Sequence, residues 1–369
     1  MSKAAELAKW GEVSTNGQVS GRRNIVINGA MQVAQRSASV TGIGAAGGYF
    51  TLDRWKIDAG ASAGRLTMTQ TADGPSGFAN CLKLDCTTAD TSIAASEYLI
   101  LAQYFEGQDL QSIGKGVAGA KEITVSFYVK ANAAFTFGVE LYDVDNGRQI
   151  TKLFNTTTGW VRHEITFPAD VDDGSSPFDD DNALSLIVNF WLHGGATYTG
   201  GTLNTAAWAD NTNANRAAGI DSFYSSTDNN FFITGVQLEV GSVATPFEHR
   251  SFGEELALCQ RYFQVAQSGT NAAISPICNG WQQSSSDTRG ILKFSAMRVA
   301  PTIAQNTAAN YFLFERNGAS DLLTELSLAY STPTSCLIYD DNTSSGTAGH
   351  GGGIYTNNAS AYLHLLAEL

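Results

Sequence analysis

The sequence has little charge. Lys, Arg, Asp and Glu make up only 15% of its 369 residues, well under the usual quarter. Apart from Arg22-Arg23 there is no basic cluster. Nucleic-acid binding draws its affinity from grouped Lys and Arg that displace counterions. That absence, with a net charge of −13, argues against nucleic acid as a partner. An acidic surface chiefly serves solubility, and it is compatible with cation binding.

Long apolar runs are missing as well. The longest, such as LIVNFWL at 186–192, fall far short of the ~20 residues of a membrane-spanning helix. MSKAAELAKWGEV has a lysine but not the apolar stretch of a signal peptide. The expectation is assembly in a cytoplasm, without a signal peptide or membrane insertion. Cysteine is scarce and odd in number, with 5 residues and no CxxC pair, so no disulfide framework is expected. Cys81 and Cys86 are placed to face each other across neighbouring strands, though buried free thiols are the plainer reading. The histidines (His163, His193, His249, His350 and His364) show no metal-ligand spacing. His163 sits in a strand pattern and reads as packed or paired. No nucleophile–base pair stands out, so catalysis is not expected.

Two apparent motifs fail on context. GIGAAG (Gly42 to Gly47) fits a dinucleotide fingerprint, but no helix start follows it. GASAG (Gly60 to Gly64) fits a nucleophile elbow, but a strand pattern follows. Both read as small-residue turns.

Uncharged polar residues and 37 glycines fill the space that charge leaves, and they suit turn-rich β-structure. Period-two alternation is frequent. Ile123, Val125, Phe127 and Val129 share one face of a predicted strand. Phe135, Phe137, Val139 and Leu141 share another, and Val161, His163, Ile165 and Phe167 a third. In FFITGVQLEVG the pattern places Phe232, Val236, Leu238 and Val240 together, with Thr234 between. Many strands joined by irregular loops predict a mainly β fold, an antiparallel jelly roll or β-sandwich. A polar stretch from His193 to Asn230 separates two strands and is long enough to be functional or locally structured.

Four segments follow: residues 1–23, a short N-terminal helix and linker; 24–250, the jelly roll; 251–264, a connecting helix; 265–369, a smaller C-terminal β-domain. In SFGEELALCQRYFQ the residues Phe252, Leu256, Cys259 and Phe263 recur at spacings of four, three and four, the pattern of a coiled-coil seam. Ser251 and Glu254 predict a capping box. Leu7 and Trp10 share a face of the N-terminal helix, which is too short to stand alone and is expected to anchor on a partner.

The acidic run 170–181 raises the question of a metal. Asp172, Asp173, Asp179, Asp180 and Asp181 are weak calcium candidates. A solvated acidic loop is the plainer reading, and no cofactor is expected unless calcium is bound. DVDNG (Asp143 to Gly147) reads as a hairpin turn with Asn-Gly at its tip. Aromatic residues in polar surroundings can pack on the apolar face of a sugar ring. Trp208, Tyr198, Trp281 with its neighbour Gln282, and Tyr355 are the candidates; for Trp208 a core-capping role is the stronger reading.

RRNIVINGAMQVAQRS, GYFTLDRWKI, ITGVQLEVGSVATPFEHRSFGEELALCQRYFQ, KFSAMRVAPTI and the terminal LLAEL together resemble bacteriophage tail-fibre and related virion appendage proteins. MSKAAELAKWGEVSTNGQVSG resembles an N-terminal extension of some members. The resemblance implies a carbohydrate-binding-module-like jelly roll and a homotrimer. It also implies N-terminal attachment to other tail or capsid proteins, and a distal domain facing host-surface glycan. Three functions follow as expectations: glycan-dependent host attachment, a purely structural head-decoration or tail-adaptor role, and a polysaccharide depolymerase, the last needing two facing carboxylates.

Overall fold

A computed structural model describes residues 22–171, 176–268, 274–308, 310–341 and 344–369. The chain is mostly β and forms two compact units, which divide between Glu255 and Leu256.

The first unit is an antiparallel β-sandwich of jelly-roll type. Strands are numbered along the chain. One sheet runs in the order β1 (Ser39–Ile43), β4 (Arg65–Thr71), β5 (Cys81–Thr88), β13 (Asn230–Val240), β7 (Ile123–Ala131) and β10 (Val161–Phe167). The other runs β12 (Ala209–Asp210), β9 (Arg148–Asn155), β8 (Thr136–Asp143), β11 (Leu184–Gly194), β6 (Tyr98–Glu106), β3 (Lys56–Gly60) and β2 (Gly48–Tyr49). Alternate residues of the two sheets meet in one core. Leu82, Phe127, Val129 and Ile233 come from the first sheet, and Leu101, Phe137, Val188 and Phe190 from the second.

The alternation expected in β7, β8 and β10 matches this packing, and His163 sits against Phe127 and Phe154 while bonding the Asn155 carbonyl at 2.9 Å. In β13 the expected face is wrong at one end. A bulge lies between Thr234 and Gln237, with Gly235 at φ +61°. The extra residue flips the alternation. Phe231 and Ile233 face the core on one side of it, Val236 and Leu238 on the other, and Phe232 points outward. Cys81 and Cys86 lie on one strand, not on neighbours, and all five cysteines are free.

Much of the sequence signature behind the virion resemblance is fold. Asn28 takes φ +60° and donates to the Val33 and Asp53 carbonyls at 2.8 and 2.9 Å. The Trp55 indole donates to the Asn28 carbonyl at 3.0 Å. Gln103 pairs with both backbone groups of Ile27 at 2.8 Å each. Asn24 donates to Glu248 at 2.8 Å, and Arg250 pairs with Glu255 at 3.3 Å. Asn24, Asn28, Gln103 and Glu255 are buried, Glu248 and Arg250 half-buried, and together they satisfy backbone groups that no strand serves.

The helix α2 runs Phe252–Gln260, preceded by α1 (Ala196–Thr199) earlier in the chain. The capping box is present. Glu254 accepts from the Ser251 amide at 2.9 Å, and Ser251 accepts from the Glu254 amide at 3.3 Å. The Ser251 hydroxyl's bond to Glu254 holds that carboxyl below its ordinary range. The helix is shorter than the seam needs. Phe263 opens the next strand and pairs with Leu366, so only Phe252, Leu256 and Cys259 are helical. Phe252 is 56% exposed, Leu256 half-buried and Cys259 buried.

The second unit is a smaller sandwich. A sheet of β14 (Phe263–Ser268), β23 (Tyr362–Leu366) and β17 (Thr302–Gln305) faces a seven-stranded sheet. The latter runs β19 (Ala319–Leu323), β18 (Phe312–Arg316), β22 (Gly351–Thr356), β15 (Ser275–Gln282), β16 (Thr288–Lys293), β21 (Ser335–Asp340) and β20 (Ser327–Ala329). Phe314, Ile338, Ile354, Leu363 and Leu365 fill its core.

Candidate functional site

The seven-stranded sheet of the first unit buries its second face as well. Residues 195–225 fold over it through α1 and short 3₁₀ turns. The Ala217 amide donates to the Tyr198 carbonyl at 2.9 Å and Gly201 to the Ala214 carbonyl at 2.9 Å, so the segment is cross-braced. Gly195 lets it start. A Cβ there would meet the Ala94 carbonyl oxygen at 2.0 Å.

Outward positions of β3, β6, β8 and β11 converge beneath this segment. A cavity of about 210 Å³ is lined by Asp58, Tyr98, Tyr142, Asn189, Trp191, Tyr198 and Arg216, together with Ile100 and Ile187. Tyr198 meets Tyr98 edge-on at 5.4 Å and Trp191 at 5.2 Å between ring centroids. The Tyr98 ring lies over Gly60, where a Cβ would stand 2.6 Å from it.

One carboxylate organises the polar part. Glu140 is fully buried in β8. It accepts from Asn189 Nδ2 and Trp191 Nε1 at 2.8 Å each. Arg216 grips it through both nitrogens of one guanidinium edge, Nε donating to Oε1 and Nη2 to Oε2, each at 2.8 Å. The guanidinium stacks over Tyr142 at 4.7 Å and Trp191 at 5.1 Å. Burial works against the Arg216 charge, but the Glu140 carboxylate and its hydrogen bonds outweigh that and hold the pKa above its ordinary value. Burial, and then the Asp58 carboxylate, push the Tyr98 phenol up. Beyond it, Lys56 donates to the Tyr104 hydroxyl at 3.0 Å and lies 4.2 Å over its ring. That hydroxyl donates to Asp58 at 3.4 Å.

What this cavity offers is aromatic wall plus unspent polar atoms. Arg216 Nη1 donates to nothing, and Asn189 Oδ1 accepts nothing, among the described residues.

The sequence candidates for sugar contact do not form one site. Tyr198 lines the cavity. Trp208 is 7% exposed, packs in the core and donates to the Pro168 carbonyl at 2.9 Å, so its ring is not offered to a ligand. Trp281 and Tyr355 lie on β15 and β22 of the second unit, where Trp281 pairs with Gly351. Four residues of register separate the two, or about 13 Å. Gln282 points inward, fully buried, and donates to Ser344 at 2.9 Å, so it has no ligand to meet.

The acidic run is divided. Asp172 and Asp173 lie outside the described residues, as do Leu7 and Trp10. Asp179, Asp180 and Asp181 are exposed. Asp170 is buried in a bidentate pair with Arg148 at 2.9 and 3.0 Å, and Lys115 joins Asp143 at 2.7 Å. Among the described residues no group of three or more His, Cys, Asp or Glu could hold a metal, so calcium at the run remains an expectation only. DVDNG forms the β8–β9 turn, with Gly147 at φ +62°.

Tyr98, Glu140, Asn189, Trp191 and Arg216 carried no motif. The available signal was continuous apolarity: LIVNFWL alternates poorly because both faces of β11 are covered.

A scan against protein-family models gave no match, and none of the curated proteins matches the chain. Among solved structures, a family 4 carbohydrate-binding module aligns over 58% of this chain and 97% of its own, with 12% identity and a TM-score of 0.32. A family 61 module in complex with β-1,4-galactotriose aligns over 59% and 99%, with 12% identity and a TM-score of 0.30. A family 22 xylan-binding domain from Paenibacillus barcinonensis aligns over 61% and 100%, with 10% identity and a TM-score of 0.28. At such scores the sandwich assignment rests on strand order and register.

Proposed function

We propose that the first unit binds glycan in the cavity under residues 195–225. The observation that carries this is the convergence of the half-exposed Tyr98, Tyr142 and Tyr198, backed by the buried Trp191, with Arg216, Asn189 and Asp58 on one 210 Å³ cavity. Aromatic rings suit the C–H face of a pyranose, and a few placed donors and acceptors suit its hydroxyls. Binding without hydrolysis is the reading favoured. Glycoside cleavage needs two carboxylates flanking the bond, and Glu140 is consumed by its four donor contacts, which leaves Asp58. Calorimetry against a panel of oligosaccharides tests the proposal. Micromolar to millimolar binding that Tyr198→Ala weakens about tenfold or more is expected; no heat with any of them would overturn it.

The sequence resemblance extends the proposal to a virion appendage that attaches to host-surface glycan as a homotrimer, held to other virion proteins by its N-terminal segment. Light scattering should give three times the chain mass of 39.2 kDa, and a monomer at micromolar concentration would sink the trimer. Antibody labelling of intact particles would separate a tail position from head decoration.

A further inference from the structure

We infer that Glu140 is a positioning residue that sets the sugar class, holding Arg216 as a charge-neutralised hydrogen-bond donor so that the cavity takes uncharged sugars over uronic acids. The inference rests on the glycan reading above.

The geometry has three parts. Glu140 binds Arg216 through Nε and Nη2, which fixes the guanidinium plane and leaves Nη1 for a ligand oxygen. The same carboxylate holds the Trp191 indole and the Asn189 amide, so one buried group fixes the ring that backs Tyr198 and Arg216, a donor and an acceptor together. The charges near the cavity also cancel in pairs. Arg216 faces Glu140, and Lys56 reaches Asp58 through the Tyr104 hydroxyl. A uronate entering here would lose its hydration and meet no excess positive charge, on a chain of net charge −13. A neutral sugar avoids that cost and still satisfies Nη1 and Asn189 Oδ1.

Replacing Glu140 by Gln removes the counter-charge and turns one acceptor into a donor. Arg216 then carries an uncompensated positive charge and a loosened plane. Calorimetry with cellotetraose, xylotetraose and mannotetraose, against trigalacturonate, reads the outcome. Wild type is expected to favour the neutral sugars. E140Q should shift the neutral-to-acidic affinity ratio about tenfold or more toward the uronate; lost packing alone would weaken both classes alike. E140Q/R216Q swaps the ion pair for two amides and keeps the test available if E140Q fails to fold. It should bind neutral sugars about tenfold more weakly, with no gain for the uronate. Wild type that binds no sugar removes the glycan reading and the inference with it. Wild type that binds, with an unchanged ratio in E140Q or unchanged neutral affinity in the double variant, overturns the inference alone.

Discussion

Two tryptophans differ in how their rings are held. Trp191 is fully buried in β11 of the first unit. Its indole is fixed by Glu140 at 2.8 Å, Arg216 lies over its ring and Tyr198 stands 5.2 Å away. Trp281 sits in β15 of the second unit, half-exposed on the outer face of its sheet. Its indole reaches only Gln283, two residues on, at 2.9 Å, and the cross-strand Arg289 is engaged by Asp287 at 2.8 Å. An exposed ring gives area. Trp191 has no exposed area of its own, but its fixed plane backs the half-exposed Tyr198 and the Arg216 guanidinium, so those groups are ordered beforehand and less entropy is lost if they meet a ligand.

The largest expected effect comes from breaking the first arrangement at its hub. Glu140→Ala leaves Arg216 charged, 14% exposed and unpaired. Removing one partner of a buried pair costs about 3–5 kcal/mol. The melting transition of the first unit should fall by roughly 8 °C or more, and glycan binding should go with it. Calorimetric unfolding checks this; an unchanged transition would mean that the pair is loose and the comparison with Trp281 empty.

Tyr198→Ala tests the wall without the hub. Tyr198 is half-exposed and braces Tyr98 and Trp191 from the covering segment. Loss of one central aromatic contact should weaken sugar affinity about tenfold or more, with little change in melting temperature.

A pH series tests how the covering segment is held. His193, at the end of β11, is fully buried between Ser222 at 2.8 Å and Glu97 at 3.4 Å. Burial lowers its pKa, against the opposing pull of Glu97 and then Asp90. Burial likewise lowers His163. A depressed folded pKa means that the unfolded chain takes up the proton first. Their stabilisation is therefore complete above the ordinary histidine value of 6.5 and is lost as pH falls below it. Melting temperature should drop between about pH 7 and about pH 5, and His193→Asn should reduce the slope. A flat profile would rule out burial of neutral His193 as a contributor.

The same contrast shows what the sequence made legible. Alternation in ITVSFYVK and FTFGVEL located β7 and β8 and their inward faces, because one face of each strand meets the core and a period of two records that directly. The bulge at Gly235 left no mark, since a single glycine in a strand has several meanings. Helix α2 was foretold by Ser251 and Glu254, yet its end was not, because Tyr262 and Phe263 fit helix or strand equally until Phe263 pairs with Leu366. The cavity was almost invisible. Its residues come from four strands and a covering segment, and Glu140 looks like any outward strand position. Searching for aromatic residues in polar surroundings found Tyr198, but it also selected Trp281 and Trp208, because that rule measures sequence neighbours and not what lies across a sheet.

The smallest effect is the sharpest test of the contrast. Trp281→Ala removes a half-exposed ring whose indole bond is local, so stability should change by less than about 1 kcal/mol. Sugar affinity should move by less than about twofold, because nothing about Trp281 is set in advance by a buried partner. The flat face nonetheless has the chemistry for weak stacking, with Arg289 and Tyr339 in line across β16 and β21. Saturation-transfer NMR on wild type and Trp281→Ala, using the neutral sugar that calorimetry ranks first, reads contact even at millimolar affinity. Transfer that survives Tyr198→Ala and vanishes with Trp281→Ala would make the second unit a binding surface in its own right, and preorganisation would then separate strong sites from weak ones instead of sites from non-sites.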